Sequence, residues 1–360
     1  MFNRPAMLRE AVASVLEQTH RDVEVIIVDD GSTDETPRVG EELARQDAER
    51  VVFLRKANSG PGPSREMGRL AARGEFIQYL DSDDLLRPRK FELQVQALRQ
   101  QPECGASYGW ICVHPQAGER PTKPYKGSKV RREYLFPRIL ADRWWDTNCP
   151  LWRRSVCDAL GPWSDLKWSQ DWEYDARAGA LGTRLAYVPE WMCDERHHGQ
   201  MRQTSSANWL DPVRLRERLR FLQMVFAHAE RAGVSDESPD RVHFTRWVFA
   251  TARSCAAVGL RAETRAGLDL AERAAGANRA ARRGFRAFGW LSATVGYQSA
   301  GKLALWGQQW KGPSELTLPQ SFAESLQSDD VVDDVVEESV SKADWLRGRR
   351  EAVQTVELGG

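Results

Sequence analysis

The sequence is short of the features that assign a chain to a simple class. It has no run of about 18 uninterrupted apolar residues, which excludes an ordinary membrane-spanning helix. Its opening, MFNRPAMLRE, lacks the apolar stretch of a secretory leader. It has no excess charge: 51 Lys and Arg balance 51 Asp and Glu, so no global basic field points to a nucleic-acid partner. Cysteine is sparse and unpatterned. Cys104, Cys112, Cys149, Cys157, Cys193 and Cys255 form no C-x-x-C pair and no zinc spacing, and read as reduced thiols of a cytosolic protein. No internal repeat is visible.

What is present is enough for a folded chain. At 360 residues, 41% hydrophobic and 28% charged, it can bury a substantial core in roughly two domains. The neutral total hides an uneven distribution. Residues 211–310 carry 16 basic against 9 acidic side chains, whereas 311–360 carry 5 against 11. The first stretch is Arg- and Ala-rich and helical in pattern. The second contains SDDVVDDVVEESVSK and reads as a disordered acidic tail. Nine of 14 tryptophans fall between Trp110 and Trp209, a density suited either to core packing or to stacking on a flat ligand.

Residues 1–115 alternate helix and strand patterns. Leu8, Ala11, Val12, Val15 and Leu16 recur at helical spacing, VEVIIV (Val23 to Val28) is a buried strand, and Asp29 to Asp34 is a turn before a helix over Pro37 to Gln46. A strand at Val51 to Leu54, a helix at Ser64 to Ala72 and a strand at Glu75 to Leu80 follow. Beyond the acidic loop Asp81 to Asp84 come a helix ending near Gln101 and a strand near Ala106 to Val113. This alternation predicts an α/β fold with a doubly wound, mostly parallel, Rossmann-like sheet, whose ligands sit beyond the carboxyl ends of the strands. Residues 116–205 form a looser second half. Residues 206–310 read as helices at Pro212 to Ala232, Arg241 to Ala275 and Arg279 to Trp310, with Gly259 and Gly267 as candidate breaks.

Two acidic clusters lie at that sheet edge. Asp81-Ser82-Asp83-Asp84 concentrates carboxylates where either a divalent cation shared with phosphate oxygens or a helix N-cap explains them. In VEVIIVDDGSTDET a strand ends in two aspartates and a glycine turn. One of these can accept hydrogen bonds from a nucleoside, and Asp34 or Thr33 can cap the following helix.

With these motifs in order, VEVIIVDDGSTDET followed by NSGPGPSREMGRLAARGEFIQYLDSDDLLRPRKFE, the chain resembles the family 2 glycosyltransferases of GT-A fold, as does its opening NRPAMLREAVASVLEQTH. The likeness is close over residues 3–100 and looser to about 200. It implies an inverting transfer of sugar from a nucleotide-diphosphate sugar to an acceptor hydroxyl on a glycan or lipid-linked molecule, in glycan, polysaccharide or glycolipid synthesis, with Mn²⁺ or Mg²⁺. It assigns Asp30 and Arg65 to the nucleotide, Asp83 to the metal and Asp81 to ribose or metal. Asp171 in SQDWEYDARAGALG is the catalytic base, where Gln170 stands in place of the family's usual Glu. His197 and His198 fall where the family often carries a basic segment near phosphate or acceptor. Trp144, Trp145, Trp168 and Trp172 are candidates to stack on a sugar ring, Trp172 on the acceptor side. Residues 1–115 are then the donor half and 116–205 the acceptor half.

Family members ordinarily begin with a V-S-V-I-I-P strand, central in the sheet, which is absent ahead of Asn3-Arg4-Pro5. The expectation is a sheet with unpaired edges, arising from an upstream start or an inactive product. A catalytically impaired nucleotide-sugar-binding homologue and a nucleotidyltransferase are the alternative readings. Finally, Arg282, Arg283 and Arg286 beside Phe285, Phe288, Trp290, Trp306 and Trp310 suit either a helix packed on the rest of the protein or a peripheral contact of residues 279–310 with the inner face of the plasma membrane.

Overall fold

A computed structural model of the protein describes residues 1–114, 124, 126–196 and 209–310. Helix α1 (Pro5–Leu16) opens on a proline, whose missing N–H costs nothing in a first turn, and buries Leu8, Ala11, Val12 and Val15. Then come β1 (Val25–Asp29), α2 (Thr36–Gln46), β2 (Val51–Arg55), α3 (Pro61–Ala71), β3 (Phe76–Gln78), β4 (Leu85–Leu86), α4 (Lys90–Gln100) and β5 (Cys104–His114). Helix α3 starts ahead of the expected Ser64 because Pro61 takes its first turn. The next segment holds β6 (Leu151–Arg153), α5 (Arg154–Leu160), α6 (Gln170–Ala180) and β7 (Arg184–Arg196).

The strands form two sheets. Strands β1 and β2 pair in parallel, from Val25 opposite Val51 to Asp29 opposite Arg55. The second sheet has the order β3-β6-β5-β7-β4, with β5 and β7 parallel and the other three pairs antiparallel. The mostly parallel pairing expected from the sequence is therefore corrected to a mixed sheet. Its physical reason is that no α-helix lies between β5 and β6 among the described residues, so β6 returns antiparallel to β5, and the two-residue β4 runs against the end of β7. Strands β1 and β3 each have one edge without a strand partner among the described residues. Beside β1, the Met1 amino group donates to the Val28 carbonyl (2.8 Å) and the Met1 carbonyl accepts from the Asp30 N–H (2.9 Å).

The turn after β1 is held from two directions. The Asn3 side chain accepts from the Thr33 N–H (2.9 Å), and Asp34 accepts from the Thr36 N–H (2.8 Å) at the start of α2. Asp34 is thus a capping residue, and Asp34→Ala is expected to cost about 0.5–2 kcal/mol, read as a lowered Tm with no change in ligand binding.

The main core lies in the second sheet and runs without interruption into the C-terminal helices through Leu219, Phe221, Leu222, Phe244 and Val248. Trp144 and Trp145, at 0% and 1% exposure, belong to this core, which corrects their reading as sugar-stacking surfaces. They pack on Tyr108 with edge-on geometry. The helices are α7 (Pro212–Arg231), α8 (Pro239–Ala257), α9 (Arg261–Ala275), α10 (Arg279–Val295) and α11 (Tyr297–Trp310). Gly259, at φ +79°, separates α8 from α9, and Gly296, at φ +81°, separates α10 from α11. Gly267 breaks nothing. It lies inside α9, where a Cβ would come within 2.8 Å of Ala252 Cβ on α8.

Candidate active site

The site forms where the loops after β1, β2 and β3 meet the start of α6. Asp29 is fully buried, accepts from the Ser32 N–H (3.1 Å) and pairs with Arg55 (3.1 Å). That fastens the turn and leaves Asp30 at its rim. Asp30 Oδ1 accepts from Lys56 Nζ (2.6 Å) and the Ser59 N–H (2.9 Å), and Oδ2 accepts from the Gly60 N–H (2.8 Å). Burial opposes its ionisation, but these three donors outweigh it and hold the carboxyl below its usual range. A carboxylate offers about four lone-pair sites, so Asp30 keeps one for a ligand N–H or O–H.

The acidic loop follows β3. Asp81 is 44% exposed in its side chain and pairs with Arg65 at 2.7 Å, while Asp83, at 16%, pairs with Arg4. Asp84 is buried and accepts from the Arg196 N–H (3.0 Å). Its carboxyl is pushed well up by burial and by the charges of Asp83, Asp81 and Glu195. Arg196, at the end of β7, also donates to the Asp83 carbonyl (2.5 Å). Among the described residues no three His, Cys, Asp or Glu side chains converge as a metal site. Asp81 and Asp83 nevertheless fit a hard cation of the kind that takes one or two carboxylates and completes its shell with phosphate and water. What favours such a cation is the placement of these two carboxylates together in the loop after β3, with Asp81 open to solvent.

Arg65 links this loop to α6. Its guanidinium lies 4.9 Å over the Trp163 ring, and its Nη1 is buried with no hydrogen-bond partner among the described residues. An orphaned guanidinium N–H beside an acidic loop is a donor waiting for an anion. The approach of α3 to the segment before α6 is close: a Cβ on Gly62 would sit 2.4 Å from the Ser164 carbonyl oxygen. Only glycine fits there, and the contact brings Arg65 within electrostatic range of Asp171.

Asp171 lies in the first turn of α6 with its side chain 27% exposed. Oδ2 accepts from Arg143 Nη1 (2.9 Å) and Thr147 Oγ1 (3.3 Å), and Oδ1 from the Trp172 N–H (2.8 Å). Burial opposes its charge, yet Arg143 and Arg65 hold it below the usual carboxylate range, so it is ionised at neutral pH. Arg143 is itself buried and also grips Asp175 (2.6 Å), which accepts from Trp145 Nε1 (2.8 Å). Asp175 is the opposite case: burial dominates and pushes its carboxyl up. Glu173 points away, bound to Arg177 (2.7 Å) and to His228 of α7 (2.9 Å), and ties α6 to the helical region.

The structure thus brings Asp30, Arg65, Asp81, Asp83 and Asp171 to one edge. Trp172 is half-buried, donates to the Ile139 carbonyl (2.7 Å) and packs on Phe221 and Trp247, so it serves the junction with α7 and α8. Trp168 lies under Arg214. His197 and His198 lie outside the described residues. Sequence reasoning missed Arg4, Lys56, Arg143, Thr147 and Trp163. Arg4 stands in the Asn-Arg-Pro motif and was open to discovery. Arg143 reads as one more arginine until its two carboxylates are located.

The profile of glycosyl transferase family 2 matches residues 1–151. That match covers less than half of the chain. An uncharacterized glycosyltransferase of Nostoc sp. is 29% identical over 170 residues, covering 46% of this chain and 53% of its own length. The uncharacterized glycosyltransferase EpsJ of Bacillus subtilis is 31% identical over 143 residues, covering 40% of this chain and 37% of its own. The chain therefore spans about half, or less, of the length of these relatives. Among solved structures, TarS of S. aureus aligns over 71% of this chain and 42% of its own, at a TM-score of 0.50 and 15% identity. That likeness is one of fold, and it agrees with the α/β, GT-A-type architecture expected from the motifs.

Proposed function

We propose that this protein is an inverting glycosyltransferase that uses a nucleotide-diphosphate sugar and a hydroxyl acceptor on a glycan or lipid-linked molecule. The observation that carries the reading is the position of Arg65, paired with Asp81 at 2.7 Å and lying over Trp163 ahead of α6, whose first turn holds Asp171. It joins an anion-binding edge to an ionised carboxylate, the two parts that displacement of a diphosphate by a hydroxyl needs. The six cysteines are buried free thiols, in keeping with a reducing cytoplasm.

In this mechanism Asp30 orients the nucleoside through its remaining lone pair, and the free Arg65 N–H holds the diphosphate. The acceptor oxygen bonds to the anomeric carbon as the bond from that carbon to the diphosphate oxygen breaks, with inversion. The hydroxyl proton passes to Asp171, and the nucleoside diphosphate leaves with the bonding pair. Asp83, with Asp81, would hold a divalent cation, which when bound neutralises charge on the leaving diphosphate.

Two measurements test this. A screen of UDP-, GDP- and dTDP-sugars with Mn²⁺ and Mg²⁺ should show release of nucleoside diphosphate from one donor class; tight binding without turnover would assign a binding homologue instead. Calorimetry should show that Asp83→Ala loses Mn²⁺-dependent binding of nucleoside diphosphate while Asp34→Ala keeps it. Equal behaviour of the two variants would reduce the acidic loop to a capping device.

A further inference from the structure

Helices α10 and α11 carry a surface that transfer chemistry does not use. From Arg273 to Ser314 the sequence has seven Lys and Arg and no Asp or Glu. Arg279, Arg282, Arg283, Arg286 and Trp290 follow the spacing i, i+3, i+4, i+7, i+11, which places them on one side of α10. The opposite side holds Phe285 and Phe288, both buried and packed on Phe249 of α8 at ring distances of 4.6 and 5.8 Å. Inward packing is thus accomplished by the phenylalanines, and the arginine side faces out.

That outward face is not an ordinary solvated one. Trp290 is 77% exposed, the most exposed of the large hydrophobic side chains that stand out from the surface. Of the ten such side chains among the described residues, Trp290, Val295, Leu303 and Trp306 all fall on this helical pair and its turn. Leu303 and Trp306 share a face of α11 with the exposed Lys302. Arg279, Arg283 and Arg286 form no ion pair with a carboxylate among the described residues, and Arg282 acts through space on the half-buried Asp236. Uncompensated arginines with indoles between them match an interface where one layer is anionic and the next apolar. The cations meet lipid phosphates, and the indoles enter the headgroup boundary.

The geometry points to this outward face of α10 and α11 as a seat on the surface of an anionic lipid bilayer. The contact is peripheral, because no helix among the described residues is long and apolar enough to cross a membrane. It is independent of the proposed activity and is tested without it.

The test is cosedimentation of the full chain with large vesicles of phosphatidylcholine alone or with 30% phosphatidylglycerol, at about 50 and 500 mM salt. Binding should require the anionic lipid and weaken at high salt. The triple variant Arg282→Ser, Arg283→Ser, Arg286→Ser removes three cations worth about fivefold each, a fall in affinity on the order of 100-fold. Trp290→Ala should weaken binding at both salt concentrations, since it removes the salt-insensitive part. All four positions are exposed, so circular dichroism and Tm should stay unchanged. Absence of sedimentation with anionic vesicles at low salt overturns the proposal, as does equal binding by the triple variant. A dimer that the triple variant abolishes, without vesicle binding, would assign the face to a second copy and overturn it too. Salt-sensitive binding to a DNA duplex without vesicle binding would do the same for nucleic acid.

Discussion

Asp171→Asn is expected to lower kcat by about 10²–10⁴-fold, or about 3–5 kcal/mol of barrier, with little change in the KM of the donor. The amide keeps the size of the side chain, and its one oxygen can still accept from Arg143 and Thr147 while the bond from the Trp172 N–H is lost, so the fold should be retained at a modest cost in stability. What it cannot do is take a proton. The pH dependence is a second signature. Arg143 and Arg65 depress the Asp171 pKa against the effect of burial, so the acid limb of kcat should lie below the ordinary carboxylate value of about 3.9. That limb should disappear from the residual rate of the Asn variant. Full transfer by Asp171→Asn would remove Asp171 from the mechanism. Glu173 would not replace it, because it is buried against Arg177 and His228.

Arg143→Ala is expected to be the most destabilising single change in the site, at about 3–5 kcal/mol, because it leaves two carboxylates around an emptied position. In a domain of this size that is a fall in Tm of roughly 10 °C. The sign with pH follows from Asp171. Its folded pKa is depressed, so the stabilisation it draws from Arg143 is present above the unfolded carboxylate pKa and is lost as pH falls through the folded value. The difference in Tm between wild type and Arg143→Ala should therefore narrow in strong acid. Arg143→Lys keeps the charge but lacks the fork that holds Asp171 and Asp175 together, and should fall between the two. In Arg143→Ala the acid limb of kcat should move upward, because Asp171 loses a positive neighbour, whereas in Arg143→Lys, which keeps the charge, it should move less. Unchanged stability and an unchanged limb would mean that Arg143 positions nothing.

Much of this was legible in the chain, and for local reasons. The spacing of Leu8, Ala11, Val12 and Val15 places the buried side of α1 without reference to the rest of the molecule. The turn residues Asp29 to Asp34 and the acidic loop at Asp81 to Asp84 mark strand ends because their chemistry suits turns and helix starts. Gly259 divides α8 from α9 because its positive φ suits glycine, whereas the break at Gly296 within the expected helix from Arg279 to Trp310 emerged only in the structure. The family motifs carried these local signals into a site, naming Asp30, Asp81, Asp83 and Asp171 before any geometry was known.

The tertiary structure decided what each side chain faces. A tryptophan's sequence neighbours say nothing about whether an indole is inside or outside: Trp144 and Trp145 are core, Trp172 fills a helix junction and Trp290 stands in water. The direction of strand pairing depends on how distant strands approach, so the mixed order β3-β6-β5-β7-β4 lay beyond the alternation of helix and strand. Charge behaves in the same way. Asp171 and Asp175 are one helical turn apart with identical side chains, yet one carboxyl is held down and the other pushed up. Local sequence determined which residues are candidates for chemistry, because turns, caps and helical periodicity act over a few residues. Burial and long-range partners determined their state, because desolvation and Coulomb energy depend on distance through space and not along the chain.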